Sequence, residues 1–291
     1  MTAPLHDGEV PADERTVRAL LQEQAPHLAD LPVRRVRGTG TVNHVFRVGD
    51  DLAARLPRLP SWEADLTREA DLLPVVAAVL PVAVPEPVLL GVPSSAFPLR
   101  WGLVRWIEGG VPRAGEVDVD GLADAVIALR SLDPAPLPAA GRPASSDPEQ
   151  AGAVRAAVAA LDGVDRGAVT AAWASARSAP AWDGVRTAVH ADLLPPNLLV
   201  RDGRLAGVLD WGGAGAGDPA NDLVPAWSCF RGPDRARFRD RLAADDGQWA
   251  RARGIALAQA VVAIPYYERS MPEFAALNRA TLAEVLADPP S

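Results

Sequence analysis

Apolar positions along the chain alternate between two periods. Residues 12–25 carry Val17, Leu20 and Leu21 at helical spacing, with Asp13 and Glu14 placed for a first turn, which predicts an amphipathic helix. From residue 33 the period drops to two. Val33-Arg34-Arg35-Val36, His44-Val45-Phe46-Arg47-Val48 and Leu52-Ala53-Ala54-Arg55-Leu56 read as short strands, the last ended by Pro57. In that third strand Leu52, Ala54 and Leu56 share one face, and Ala53 and Arg55 share the other. Residues 61–73 return to the helical period, with Ser61 as the expected cap. There Trp62, Leu66, Glu69 and Leu73 line one stripe, so Glu69 lies among apolar positions and needs a partner. Arg55 is the candidate. Residues 88–90 and 99–107 predict two further strands, approached through Pro81, Pro85 and Pro87.

After Arg105-Trp106-Ile107-Glu108-Gly109-Gly110 the pattern becomes almost wholly helical. Helices are expected over 117–132, 150–161, 168–176, 238–242 and 249–267, with a Pro-, Ala- and Ser-rich connection at 133–148 and a Gly/Ala loop at 212–217. A boundary near Ile107 therefore separates an N-terminal domain, residues 1–107, from a helical domain, residues 108–291. Residues 1–11 read as a loose end.

One interruption of the helical half carries most of the chemistry. Leu198-Leu199-Val200 and residues 205–209 are apolar runs flanking Arg201-Asp202-Gly203-Arg204, a strong hairpin signal. With Asp202 and Gly203 as the loop, Asn197 falls opposite Val208 and shares its face with Asp210. The two become diagonal neighbours, about 7–8 Å apart at the backbone. A carboxamide oxygen and a carboxylate at that separation suit one hard cation, and magnesium takes few protein ligands beside phosphates. The run His190-x-Asp192-x-x-x-x-Asn197 also has the spacing of a kinase catalytic loop, with an Asp as base and an Asn on metal. A hairpin whose polar ends merely cap strands and turns remains the alternative at this point. Asp218 is placed to start a helix, as its cap or as a brace for the catalytic loop.

Composition narrows the classes. The 291 residues are 48% hydrophobic and 23% charged, ordinary for a globular protein of one large or two smaller domains. The net charge of −8 argues against non-specific nucleic-acid binding and is compatible with a cationic small-molecule partner. A single cysteine, Cys229, beside Trp227 and Phe230, reads as a buried hydrophobe. Neither a signal pattern nor an apolar run of membrane-spanning length is present in the sequence, so a cytoplasmic enzyme is expected, as a monomer or homodimer. Lysine is absent; arginine supplies every basic side chain but histidine. The only other histidines are His6, His27 and His44, which leaves a multi-histidine hydrolase centre hard to assemble.

Residues 37–43, Arg-Gly-Thr-Gly-Thr-Val-Asn, form a small-residue loop between strands. Its backbone N–H groups are free to approach phosphates, although it matches neither a Rossmann fingerprint nor a Walker loop. Taken with this loop, the strand with Arg55, the helix with READLL, the strand ending VRWIEG, HADLLPPNLLV and VLDWGGAGAGDPANDL, the chain resembles the aminoglycoside phosphotransferase family over residues 37–267.

The resemblance implies an α+β, two-lobed, protein-kinase-like fold: a small antiparallel-sheet N-lobe and a larger helical C-lobe with a catalytic β-hairpin. It implies transfer of the γ-phosphate of ATP or GTP to a hydroxyl of a small molecule, an aminoglycoside or related antibiotic foremost. Asp192 would be the catalytic base, with Asn197 and Asp210 as Mg2+ ligands. Arg55 and Glu69 would be the phosphate-positioning pair, and Gly40, Thr41 and Asn43 the phosphate loop. The backbone at Trp106 and Ile107 would read the nucleobase. His190 is expected to brace the loop rather than act as base. Against the family's frequent H-G-D-L-H-P-G-N, Ala191 replaces Gly, Leu194 replaces His and Pro196 replaces Gly. Arg55 stands where kinases carry lysine. A kinase of a hydroxylated metabolite or macrolide, or a non-catalytic nucleotide-binding module, are the alternatives.

Overall fold

A computed structural model of the protein describes residues 5–36, 40–140 and 147–288. Arg37, Gly38 and Thr39 of the small-residue loop, and 141–146 of the Pro-rich connection, lie outside the described residues. The chain forms two compact units, Met1–Gly110 with Ala206–Gly212, and Val111–Leu205 with Gly213–Ser291.

In the first unit five antiparallel strands stand in the order β1-β2-β3-β5-β4. They are β1 (Val33–Arg35), β2 (Asn43–Val48), β3 (Leu52–Pro57), β4 (Pro87–Gly91) and β5 (Trp101–Arg105). The alternation in β3 sorts its side chains as the sequence predicts. Leu52, Ala54 and Leu56 join one buried cluster with Phe46, Val48, Trp101 and Leu103, and with Val17, Leu20 and Leu21 of helix α1 (Glu14–Gln24). Asp13 starts that helix by accepting the Arg15 and Thr16 backbone N–H groups at 2.9 Å. Helix α2 (Glu63–Ala77) packs near the register pair Arg55–Gly102. A methyl group on Gly102 would come within 3.2 Å of Leu66 of α2, so the small residue lets the helix approach.

Two expectations change here. Ser61 does not cap α2. It sits in a 3-10 turn, Pro60–Trp62, and the helix begins after it with no side-chain cap and continues past Leu73 through Pro74. The N-terminal segment is not loose across 5–10. Val10 N–H donates to the Arg58 carbonyl (2.7 Å), and Leu5 N–H donates to Glu9 (2.7 Å). Glu9 in turn pairs with Arg58 and His44.

The second unit is mostly helical: α3 (Val119–Arg130), α4 (Pro148–Ala160), α5 (Arg166–Arg177), α6 (Pro225–Ser228), α7 (Gly232–Arg241), α8 (Asp246–Tyr267) and α9 (Pro272–Ala287). Helix α8 is buried on most sides, from Ala252 through Val261, and packs against α4, α5 and α9. An apolar stripe on one face would not permit that; all-round apolar character does. Helix α9 and the first part of α7 go beyond the helices that periodicity predicts. The stretch 212–217 is not all loop, because Gly215–Gly217 forms β9 and pairs with β6 (Thr187–Val189). The 138–140 backbone lies against β9, and a Cβ on Gly217 would meet the Ala140 carbonyl at 2.5 Å. No helix among the described residues is long and apolar enough to cross a membrane.

The hairpin and its two-residue turn form, but its strands do not extend to the two expected metal ligands: Asn197 closes a 3-10 turn before the first strand, and Asp210 lies beyond the second with a left-handed backbone, so strand alternation does not relate them. β7 (Leu198–Arg201) and β8 (Arg204–Val208) make a two-stranded sheet. Asp202 (φ 54°) and Gly203 (φ 74°) carry the two positive φ angles of a type I′ turn.

Candidate active site

The first unit gathers Arg55, Glu69 and Asp210. Arg55 leaves β3 opposite Gly102, and Glu69 reaches it from the apolar stripe of α2. Arg55 Nη1 donates to Glu69 Oε1 at 2.6 Å, and both side chains are nearly buried. Arg55 Nη2 stands 3.7 Å from Asp210 Oδ1. The guanidinium thus divides its two arms between two carboxylates. Burial works against its charge, but Glu69 first and then Asp210 more than offset this, and its pKa is held above the usual arginine value.

Glu69 Oε1 also accepts the Trp211 backbone N–H at 3.2 Å. Trp211 is buried, and its indole N–H donates to the Val208 carbonyl at 3.0 Å. Arg68, one residue before Glu69, donates to the Gly212 carbonyl at 3.3 Å. Gly212 has no room for a side chain, since a Cβ would lie 3.0 Å from Asp65 Cβ. The Asp210-Trp211-Gly212 segment is therefore tied to one turn of α2. Asp210 itself has φ 63°, left-handed for a non-glycine residue, and its side chain stays 29% exposed.

The rest of the first-unit candidates lie at or just beyond strand ends of the same sheet. Gly40 has φ 74°, and the carbonyl oxygen of its neighbour Thr41 accepts a hydrogen bond from His6 Nε2 at 2.7 Å. Asn43 is buried at the start of β2, and its Oδ1 has no hydrogen-bond partner among the described residues. At the end of β5, the Trp106 backbone N–H donates to the Asp51 carbonyl at 2.8 Å. That group is thus engaged by the Asp51 carbonyl. The Arg47 guanidinium lies over the Trp106 ring at 4.5 Å. Ile107 faces Gly207, where a Cβ would come within 3.0 Å of its Cγ2.

The second unit gathers His190, Asp192, Asn197 and Asp222. Asn197 closes a 3-10 turn, Pro195–Asn197, that follows the loop. Its Nδ2 donates to Asp192 Oδ2 at 3.0 Å and to the Asp192 carbonyl at 2.9 Å. An amide nitrogen so occupied fixes the orientation of the side chain and leaves Oδ1 as its acceptor. Asp192 is partly exposed, and its backbone N–H donates to His190 Nδ1 at 3.2 Å. The fully buried His190 ring therefore braces the loop through Nδ1, as the sequence suggests.

Asp222 is the support of this loop that the sequence does not single out. It is fully buried, and its carboxylate accepts His190 N–H at 2.9 and 3.1 Å and Ala191 N–H at 2.8 Å. Asp218, the residue expected to cap or brace, does the first only. It accepts Ala220 N–H at 2.9 Å at the head of a 3-10 turn, Pro219–Leu223, and pairs with Arg251 at 2.7 Å. Burial pushes the Asp222 carboxyl above the ordinary aspartate value, against the pull of His190, the two backbone N–H groups and Arg130. Burial likewise lowers Arg130, whose Nη2 donates to the Pro219 carbonyl at 3.1 Å. Between the two Asp222-bound N–H groups and Asp192 the backbone turns through Ala191 at φ 67°.

Known proteins match this chain over nearly its whole length. The model of the phosphotransferase enzyme family (APH) matches residues 9–256. Among solved structures, the GDP complex of aminoglycoside 2'-phosphotransferase-IIIa superposes with a TM-score of 0.70 at 19% identity, covering 95% of this chain and 99% of that one. Macrolide 2'-phosphotransferase MphH from Brachybacterium faecium does so with a TM-score of 0.58 at 24% identity, covering 94% and 99%. At such identities the likeness is one of fold. The fold is thus the two-lobed kinase-like one, with an antiparallel-sheet lobe and a helical lobe. The uncharacterized protein YcbJ of Bacillus subtilis (strain 168) is 36% identical over 72 residues, 24% of each chain, so the match spans about a quarter of that relative's length. The family match covers most of the residues described above, including both carboxylate clusters, and the chain belongs to the phosphotransferase enzyme family.

Proposed function

We propose that this protein transfers the γ-phosphoryl group of a nucleoside triphosphate to a hydroxyl of a small molecule, an aminoglycoside or related antibiotic foremost. The observation that carries the reading is the pair of hydrogen bonds from Asn197 Nδ2 to Asp192. They fix a partly exposed carboxylate beside a carboxamide whose oxygen is its remaining acceptor. Asp192 orients the acceptor hydroxyl and takes its proton as the phosphoryl group moves, late in a loose transition state.

Asn197 Oδ1 and the partly exposed Asp210 carboxylate are each an oxygen donor of the kind magnesium prefers, an ion that leaves most positions to phosphate and water. Magnesium held by these donors would supply neutralisation of phosphate charge. Arg55 holds a phosphate oxygen with its Nη2 arm while Glu69 retains Nη1. Arginine in place of lysine gives a fork instead of a point charge, which suits a phosphate as well. The Gly40–Thr41–Asn43 backbone covers the phosphates, and the strand end at Trp106 and Ile107 takes the base.

The test is nucleotide consumption with ATP and with GTP against a panel of aminoglycosides, macrolides and hydroxylated metabolites. Asp192→Asn is expected to lower kcat by about a thousandfold while nucleotide affinity holds. Undiminished turnover in that variant would sink the base assignment. Tight nucleotide binding with no transfer to any alcohol would instead identify a non-catalytic nucleotide-binding module.

A further inference from the structure

The N-terminal segment ends against the loop that the proposed function assigns to phosphates. His6 Nε2 lies 2.7 Å from the Thr41 carbonyl oxygen. A carbonyl only accepts, so Nε2 carries the hydrogen. The imidazole is buried, and it stands edge-on to Trp62 with ring centroids 4.8 Å apart. The segment behind it is itself fastened. Glu9 N–H donates to the His6 carbonyl (3.3 Å), and the Glu9 carboxylate binds Leu5 N–H and pairs with Arg58. Arg58 N–H in turn donates to the Val42 carbonyl at 2.9 Å. Two consecutive carbonyls of the loop, those of Thr41 and Val42, are therefore each held by a hydrogen bond.

A trans peptide points its C=O and the following N–H in opposite directions. With the Thr41 carbonyl drawn toward His6, the Val42 N–H is directed away from the N-terminal segment. Gly40, at φ 74°, supplies the left-handed turn that lets the loop enter this arrangement. We propose that His6 is a positioning residue: by clamping the Thr41 carbonyl it presents the Val42 N–H to the phosphates of the bound nucleotide. The inference rests on the reading of this loop as the phosphate loop.

Two substitutions in the full chain separate the hydrogen bond from the packing. His6→Phe keeps an aromatic edge against Trp62 and removes the donor. His6→Gln keeps a side-chain N–H and removes the ring. Affinities for the magnesium salts of ATP and GTP, and for adenosine and guanosine, are measured by calorimetry on each. His6→Phe is expected to weaken triphosphate binding by about fivefold to tenfold and leave nucleoside binding unchanged, since one hydrogen bond contributes about that much. His6→Gln is expected to restore most of the loss. Equal weakening by both, or wild-type triphosphate affinity in His6→Phe, overturns the clamp. Should the unaltered protein hold triphosphate no more tightly than nucleoside, the phosphate-loop reading falls first and the clamp with it.

Discussion

The two carboxylate clusters are held by opposite means. In the first unit, Glu69 and Asp210 are arranged around a side chain, the Arg55 guanidinium, with contacts of 2.6 and 3.7 Å. In the second, Asp222 is arranged around the backbone, with contacts to His190 N–H and Ala191 N–H of 2.8–3.1 Å. A side-chain pair carries a charge that a ligand can share, and the longer arm of Arg55 is the one free to adjust. A backbone clamp has no such slack, because moving it means rebuilding the loop. The difference fits a division of labour in which the first cluster accommodates a substrate charge and the second fixes the direction of Asp192.

Asp222→Ala tests the backbone clamp and is expected to have the largest effect on stability. It orphans two buried N–H groups at a cost of about 3 kcal/mol. The figure stays below the full sum because removing the carboxylate also removes the burial penalty that raises its pKa. Misdirection of Asp192 is expected to lower kcat by about a hundredfold. Urea unfolding and turnover measure the two, and nucleotide affinity, which the proposed function assigns to the other unit's side chains, should hold. Full stability in this variant would show that something other than Asp222 holds the loop.

Glu69→Gln probes the side-chain cluster and should act in the reverse pattern. The amide oxygen still accepts Trp211 N–H, but Arg55 loses its closest counter-charge. Breaking a buried pair costs about 3–5 kcal/mol when the other charge is left alone. Asp210, 3.7 Å away, remains, so about 2 kcal/mol is expected. Nucleotide affinity should fall about tenfold, read by calorimetry, with a smaller loss in kcat at saturating nucleotide. A variant that lost kcat and kept affinity would erase the division between the clusters.

How far the sequence shows these clusters follows from the same difference. Glu69 is visible because a carboxylate inside an apolar stripe violates the helical period, and Arg55 because it faces away from Leu52, Ala54 and Leu56. Asp202-Gly203 is visible because both residues tolerate positive φ, and both have it. Asp222 is hidden. Its partners are backbone groups 31 and 32 residues away, and no side-chain type marks a backbone donor. The strand Gly215–Gly217 is hidden for a related reason, since Gly-Ala-Gly has little strand propensity and pairs because only glycine lets the 138–140 backbone approach. The fastening of residues 5–10 depends on the buried Glu9–Arg58 pair, which links positions 49 residues apart. Local patterns therefore carry the sheet, the hairpin and α2, while the supports of the His190–Asn197 loop come from distant contacts.

The smallest expected effect lies at the two left-handed residues, one in each cluster. Asp210 (φ 63°) and Ala191 (φ 67°) occupy the same backbone region, but not at the same cost. Aspartate enters it several-fold more readily than most residues. Alanine has no such help, and left-handed geometry costs an L-residue about 1–2 kcal/mol. Glycine removes that strain but adds about 0.5–1 kcal/mol of chain entropy in the unfolded state. Ala191→Gly should therefore stabilise the protein by up to about 1 kcal/mol, a rise in Tm of about 2–4 °C in a chain of this size. The Asp222 hydrogen bonds engage the His190 and Ala191 N–H groups whatever the side chain at 191, so kcat should change little. A drop in Tm would mean that the methyl group of Ala191, which is buried, contributes more by packing than its backbone loses by strain.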